Sequence, residues 1–344
     1  MAAHIEAKDL RATDRRPLHE IVPIRTPFVV YIDPTNLCNF RCSFCPTADN
    51  PLLRQVGRPR ASMNIELFQT VVDQLREFPD KLKLLSLYKD GEPMLNKAFP
   101  EMVRYAKQAN ISERIWTKTN ASFLNPVLNA AIIDAGLDMI HISIEHVNSE
   151  GYKNVADVSL DYENLRTNIR DLYDRRGNCE IYIKIADSGL SQDDVKKFYD
   201  DFGDRSTHIP VEKLMGWSYS NLKDFTLGIQ SETYDGLPLV EKIACAYPFY
   251  VLAVNSDGSV SVCGNDWAYK TVVGNVTDKS LVEIWNDEPL FAIRKLHLTG
   301  NRAKNPACGD CYYLKIVPDN IDGHRQEMLH ALAAVRGHED EISK

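Results

Sequence analysis

No run of this chain is both long enough and apolar enough to cross a bilayer. The N-terminal stretch, Met1 to Pro27, mixes charges and lacks the apolar core of a secretory signal, which points to the cytoplasm. Basic excess is missing too. Lys and Arg total 40 against 48 Asp and Glu, a net charge of -8, so neither a nucleic acid nor an anionic membrane is expected as a partner. There is no internal repeat and no low-complexity tract. Cysteine is scarce, at 8 residues. In a reducing compartment so few thiols are not expected to form a disulfide framework, and metal binding or catalysis is the better default.

What remains is an ordinary globular composition, long enough for two domains. Residues 28–32 (Phe-Val-Val-Tyr-Ile) read as a buried strand. From Ala48 to Ser62 the chain is polar and Arg-containing, which predicts a loop. A helix is expected from Asn64, with Leu67, Val71, Leu75 and Phe78 on one face. Further strands are predicted at 82–88, 115–119, 139–144, 181–185 and 208–214. Helices are predicted at 99–109, from Pro126 to about Gly136, at 162–175 and after Ser191, whose pairing with Asp194 resembles a capping box.

Strands separated by helices imply parallel pairing with right-handed crossovers. Six units rather than eight predict an α/β fold, an open partial (β/α)6 TIM-like barrel. Ligands bind such sheets outside the carboxyl ends of the strands. The texture changes after about residue 225: 250–254 and 259–262 flank Asn255-Ser256-Asp257-Gly258, the mark of a β-hairpin. The expected organisation is an N-terminal extension over 1–24, the barrel over 25–229, a small α+β unit over 230–315 and a C-terminal helix within 316–344.

Cys38, Cys42 and Cys45 leave the carboxyl end of the first strand as C-x-x-x-C-x-x-C. A zinc site usually closes with four ligands, and this loop offers three. Three thiolates suit three corners of a cubane iron–sulfur cluster and leave one iron without a protein ligand, whereas an electron-transfer cluster takes four cysteines. With Phe44 just before the third cysteine, the run resembles the signature of the radical S-adenosylmethionine (radical SAM) superfamily. That resemblance implies a 4Fe-4S cluster whose open iron is chelated by SAM. It also implies reductive cleavage of the sulfonium to a 5′-deoxyadenosyl radical, and abstraction of a substrate hydrogen atom by that radical. An external one-electron donor such as flavodoxin or ferredoxin is implied with it.

Three more elements stand in the family's order. Gly91-Glu92-Pro93 follows the second strand and resembles the Gly-Glu-Pro element, whose backbone and Glu contact the amino group of SAM; Asp90 replaces the more usual preceding Gly. Thr119-Asn120-Ala121 is similar to the Thr-Asn-Gly after strand three, with Asn120 implied as a SAM contact and Ala121 in place of Gly. Ser143 and Glu145 alternate onto one face of strand four and match the Ser-x-Asp or Ser-x-Glu that contacts the ribose and carboxylate of SAM. Apart from the resemblance, Ser143 reads also as a small barrel-packing residue and Glu145 as a salt-bridge partner.

By position at the strand ends, Lys184, Asp187 and Lys213 are candidate catalytic groups, with Trp217 nearby. The lysines read also as paired or solvent-facing charges. His141 and His146 are candidate proton acceptors or hydrogen-bonded structural residues. Arg54, Arg58 and Arg60 either clamp an anionic substrate or form a solvated basic loop.

Cys245, Cys263, Cys308 and Cys311 form a second set, containing one C-x-x-C pair. The set suits a fully ligated second cubane or a structural zinc. With Gly274-Asn275 and Trp285-Asn286 between its members, it resembles the SPASM/twitch extension of radical SAM enzymes. A full SPASM unit has seven cysteines. Four resemble the shorter single-cluster form found in the radical dehydrogenases and epimerases of aminoglycoside biosynthesis. The resemblance spans about residues 25–315. Cys179 is left over at the amino end of a barrel strand, away from the mouth, and is expected to be a small semi-buried residue.

These features imply a radical SAM oxidoreductase acting on a small polar, sugar- or aminocyclitol-like substrate, with the auxiliary cluster accepting an electron during alcohol oxidation. An epimerase of a similar substrate and a peptide-modifying maturase are the alternatives. About forty residues precede Cys38, too few for an independently folded peptide-recognition module.

Overall fold

Alternating strands and helices lie where the apolar periodicity puts them. The computed structural model describes residues 16–227, 238–317 and 319–337. Nine strands form one sheet: β1 (Val29–Ile32), β2 (Leu82–Ser86), β3 (Ser112–Thr119), β4 (Met139–Ile144), β5 (Glu180–Ala186), β6 (Val211–Glu212), β7 (Val251–Val254), β8 (Ser259–Ser261) and β9 (Val272–Asn275). The helices are α1 (Leu18–Ile21), α2 (Asn50–Val56), α3 (Ile65–Leu75), α4 (Phe99–Ala109), α5 (Pro126–Asp134), α6 (Ser149–Ala156), α7 (Tyr162–Arg175), α8 (Gln192–Phe202), α9 (Leu281–Asn286), α10 (Glu288–Leu298), α11 (Pro306–Gly309) and α12 (Arg325–Arg336).

The sheet order is β6-β5-β4-β3-β2-β1-β7-β8-β9. Strands β1 to β6 pair in parallel, each with its sequence neighbour, as expected for six successive β/α units. The hairpin does not start a separate sheet: β7 pairs in parallel with β1, and β8 and β9 then add antiparallel strands. The expected boundary at 229/230 lies outside the described residues, as do the first fifteen residues of the N-terminal extension.

Local chemistry explains the helix ends. Asn64 caps α3 through the Leu67 N–H, and Ser191 with Asp194 forms a complete capping box on α8. The stretch expected as a polar loop contains α2, with Asp49 as N-cap, Pro51 in the first turn and Gly57 closing the helix at φ 72. Its Leu52, Leu53 and Val56 are buried in a small cluster with Trp267 and Phe225. Those capping residues were a readable helix signal. Helix α6 and strand β9 had no strong apolar period and were also unforeseen. β6 is two residues long rather than seven, with His208 joining only through an isolated bridge to Tyr182.

The barrel interior is closed by a row of rings. Tyr31, Tyr88, Trp116, His141 and Tyr182 contact one another in sequence, at centroid separations of 5.7, 4.8, 4.5 and 4.2 Å. Ser86 accepts the Trp116 indole N–H at 2.5 Å. His141 therefore belongs to the packed floor, which matches its structural reading. His146 packs its ring where a Cβ on Gly151 would meet it at 1.9 Å, so the imidazole fills the space that glycine leaves on α6.

Candidate active site

Above the aromatic floor, the carboxyl ends of the strands surround a cavity of about 280 Å³, close to the range of small-molecule sites. Its wall includes Cys38, Cys42 and Cys45 together with Phe44, Gly91, Glu92, Asn120, Ser143 and Glu145. Pro93 sits just behind, buried at the start of a single 3-10 turn.

Backbone hydrogen bonds clamp the cysteine loop on three sides. Glu92 N–H donates to the Leu37 carbonyl at 2.8 Å, and Arg41 and Ser43 donate to the carbonyls of Ala156 and Val155 at the end of α6. Trp217 Nε1 donates to the Phe44 carbonyl at 3.0 Å. A Cβ on Gly91 would lie 2.2 Å from the Thr35 carbonyl oxygen and 2.3 Å from that of Leu37. Only glycine lets the loop approach β2 this closely.

Glu92 is an anchor of that geometry. Its carboxylate accepts from Thr119 Oγ1 at 2.6 Å, Asn120 N–H at 2.7 Å and Met94 N–H at 3.0 Å. Burial pushes its pKa up to about 7 against these three bonds. Asn120 Nδ2 reaches toward Cys38 Sγ at 3.9 Å. Ala121 holds φ 62, the left-handed conformation that explains why glycine is the usual residue there. Burial raises Glu145 to about 7, opposed by the charge of Lys184.

Asp90, which stands where a glycine was expected, enters a buried ionic group. Lys89 Nζ lies 2.5 Å and Arg58 3.7 Å from its carboxylate. Lys89 and Arg58 also donate to the carbonyls of Asp266 and Trp267, joining the barrel to the segment after β8. Arg58 is thus internal, which corrects the substrate-clamp and solvated-loop readings for this residue. Arg54 and Arg60 are exposed, with Arg60 on Asn50.

The lysines expected at the mouth both line the cavity. Lys184 Nζ lies 2.8 Å from Glu212, which also accepts from the Tyr182 hydroxyl at 2.9 Å. Burial works to lower the Lys184 pKa, but Glu212 and Glu145 outweigh it and the net shift is upward. Lys184 is therefore held as a cation by its two acidic neighbours. Lys213 Nζ lies 2.8 Å from Asp187. Sequence reasoning missed Glu212, because β6 is too short to show a period.

The second cysteine set lines a separate cavity, together with Tyr247, Ser218, Asp266, His297 and Arg302. Burial raises all four thiols, Cys245 to about 12 and Cys311 to about 11. A tetrahedral zinc with bonds of about 2.3 Å holds its sulfurs roughly 4 Å apart. Among the described residues, no three of these thiols gather within 4.8 Å of one another. The set is wider than one zinc ion requires, and its thiol-rich lining suits a polynuclear cluster. Tyr247 lines both cavities. Tyr313, whose hydroxyl lies 3.2 Å from that of Tyr247, and Tyr31, packed against Gly264, complete the partition. Cys179 is buried in the main core, outside both cavities.

His19, His324 and Glu327 bring three potential metal-binding atoms together at the surface. The two imidazoles stack at 3.4 Å with an interplanar angle of 4°. One ion cannot lie in the planes of both rings, so this group is a stacking contact.

Comparison with known proteins matches residues 32–201 to the radical SAM superfamily and residues 245–312 to SPASM, an iron–sulfur cluster-binding domain. The S-adenosyl-L-methionine-dependent 2-deoxy-scyllo-inosamine dehydrogenase of Niallia circulans is 20% identical over 285 residues, covering 82% of this chain and 92% of that protein. Among solved structures, BtrN in complex with AdoMet and 2-DOIA is similar at a TM-score of 0.55 and 17% identity, over 84% of this chain and 94% of that one. Native anSMEcpe with bound AdoMet is similar at 0.58 and 15% identity, over 92% and 99%. Among the described residues no helix is long and apolar enough to cross a membrane.

Proposed function

Because the chain belongs to the radical SAM superfamily and carries a SPASM iron–sulfur segment, we propose that it oxidises a hydroxyl of a small polar, aminocyclitol- or sugar-like substrate to a carbonyl. The observation that carries this reading is Tyr247, a single side chain lining both the SAM-side cavity and the four-cysteine cavity. Tyr247 would lie between a substrate in the first cavity and an electron acceptor in the second.

In this reading Cys38, Cys42 and Cys45 hold one 4Fe-4S cluster, and Cys245, Cys263, Cys308 and Cys311 hold the other. When bound, SAM and the first cluster would supply the means to remove a hydrogen atom from the carbinol carbon, and the second cluster would supply an electron acceptor. Gly91, Glu92 and Pro93 set the wall for the methionine end of SAM, with Phe44, Asn120, Ser143 and Glu145 completing its pocket. Lys184, kept charged by Glu212, donates a hydrogen bond to a substrate oxygen. The hydroxyl proton passes to Lys213 as Lys213 yields one to Asp187, its partner at 2.8 Å. The buried phenols of Tyr31, Tyr247 and Tyr313 have raised pKa values from burial and stay protonated. They keep water and bases out of the partition.

The barrel over 25–229 and the auxiliary unit over 230–315 act as one device, which the shared sheet supports. The electron that starts each turnover comes from an external donor of the flavodoxin or ferredoxin type. Cys179 lies in the core, which disfavours it as a hydrogen-atom donor for epimerisation.

The test is anaerobic turnover of reconstituted protein with SAM, a reductant and a panel of aminocyclitols and hexoses. Carbonyl product and 5′-deoxyadenosine in equal amounts are expected. Solvent deuterium at carbon without net oxidation would overturn oxidation in favour of epimerisation.

A further inference from the structure

The four-cysteine cavity contains a donor without an acceptor. His297, on the last turn of α10, is 1% exposed and shares the cavity wall with all four cysteines. Its Nδ1 accepts the Cys245 backbone N–H at 3.0 Å. A neutral imidazole nitrogen that accepts carries no proton, so the ring proton sits on Nε2. The buried Nε2 finds no hydrogen-bond partner among the described residues. Arg302 shares the wall, where its guanidinium donates to the carbonyls of Cys308 and Gly309.

Backbone and protein side chains leave this Nε2–H unmet, and the other groups around the cavity are thiols, apolar side chains and a few polar groups bonded elsewhere. A sulfur-rich anionic cluster supplies the missing acceptor. We propose that His297 donates its Nε2–H to a sulfur of the cluster held by Cys245, Cys263, Cys308 and Cys311, and so raises that cluster's reduction potential. Hydrogen bonds to cluster sulfurs stabilise the reduced, more negative state, and the Arg302 charge acts in the same direction. The inference rests on the reading that this cluster takes the substrate's electron, since an acceptor needs a potential high enough to be reduced by a carbon radical.

The measurement uses full-length, anaerobically reconstituted protein carrying Cys38/Cys42/Cys45→Ala, so that only the auxiliary signal remains. His297→Asn keeps an acceptor near the Nδ1 position and removes the distal donor. His297→Gln restores a donor near the Nε2 position. Redox titration followed by electron paramagnetic resonance is expected to give a more negative midpoint for His297→Asn and a near-native one for His297→Gln. With His297 unsubstituted, histidine ¹⁵N labelling is expected to show a weak ring-nitrogen coupling and a coupled exchangeable proton. Equal midpoints in all three proteins, a strong nitrogen coupling typical of an iron ligand, or no coupling at all would each overturn the proposal. Absence of iron from the triple variant would sink the electron-acceptor reading and this inference together. Iron present with an unmoved midpoint sinks only the role of His297.

Discussion

Lys184 Nζ lies 2.8 Å from Glu212 Oε2, joining the ends of β5 and β6 inside the barrel mouth. The two side chains are 18% and 7% exposed, so this is a largely desolvated pair. Lys184→Met removes the cation that faces the buried Glu212 carboxylate, and a cost of about 3 kcal/mol is expected. Lys184→Met/Glu212→Gln should recover at least half of it. Denaturant unfolding of the four proteins in a double-mutant cycle checks this; additive effects would show that the pair is not coupled.

Gly91→Ala places a Cβ 2.2 Å from the Thr35 carbonyl oxygen. The three-cysteine loop then has to lift from β2, while the four-cysteine cavity is untouched. Reconstituted iron is expected to fall from about eight to about four per chain, the content of one cubane, with SAM binding lost. Full iron content would show that the close approach is dispensable.

Ala121 holds φ 62 at 1% exposure. An L-residue in this region carries a cost of about 1 kcal/mol that glycine avoids. Ala121→Gly is expected to raise the thermal midpoint, offset in part by the greater freedom of glycine in the unfolded chain, and Ala121→Val to lower it. A fall for both would mean that packing of the Ala121 methyl outweighs the backbone strain.

Glu145 has a folded pKa raised from 4.5 to about 7, chiefly by burial. Between those values the folded chain holds a proton that the unfolded chain has released. Stability from this group is therefore present at low pH and falls as pH rises from about 4.5 to about 7. For the cluster-free protein, the denaturant midpoint of wild type should decline more steeply over that window than that of Glu145→Gln. Parallel declines would remove Glu145 as a source.

Much of the fold was legible because each β/α unit carries its own evidence. The run 139–144, the capping residues Ser191 and Asp194, and the Pro126 start are local signals, and the helices and strands they predict are present. The elements that were missed owe their structure to distant partners. α2 is buried by Trp267 and Phe225, and β9 is held by pairing with β8. Cysteine spacing identified the first candidate cluster site, since a ligand set within a short loop is fixed by chain length, whereas the second set was grouped by one C-x-x-C pair and its resemblance to the SPASM/twitch pattern. Lys184 was picked by strand position, but its pairing with Glu212, 28 residues away, is a tertiary contact.

The sequence by itself determined the family, the alternation of strands and helices, and two sets of thiols with different ligand counts, because these follow from periodicity and short-range spacing. Tertiary structure alone decided that β7 extends the barrel sheet, that Asp90 is neutralised by Lys89 and Arg58, and that Tyr247 stands between the two cavities. It also placed His297 on the wall of the second cavity, with its Nε2 buried and without a partner among the described residues. Each of these depends on desolvation and close approach between segments far apart in the chain, which no local pattern encodes.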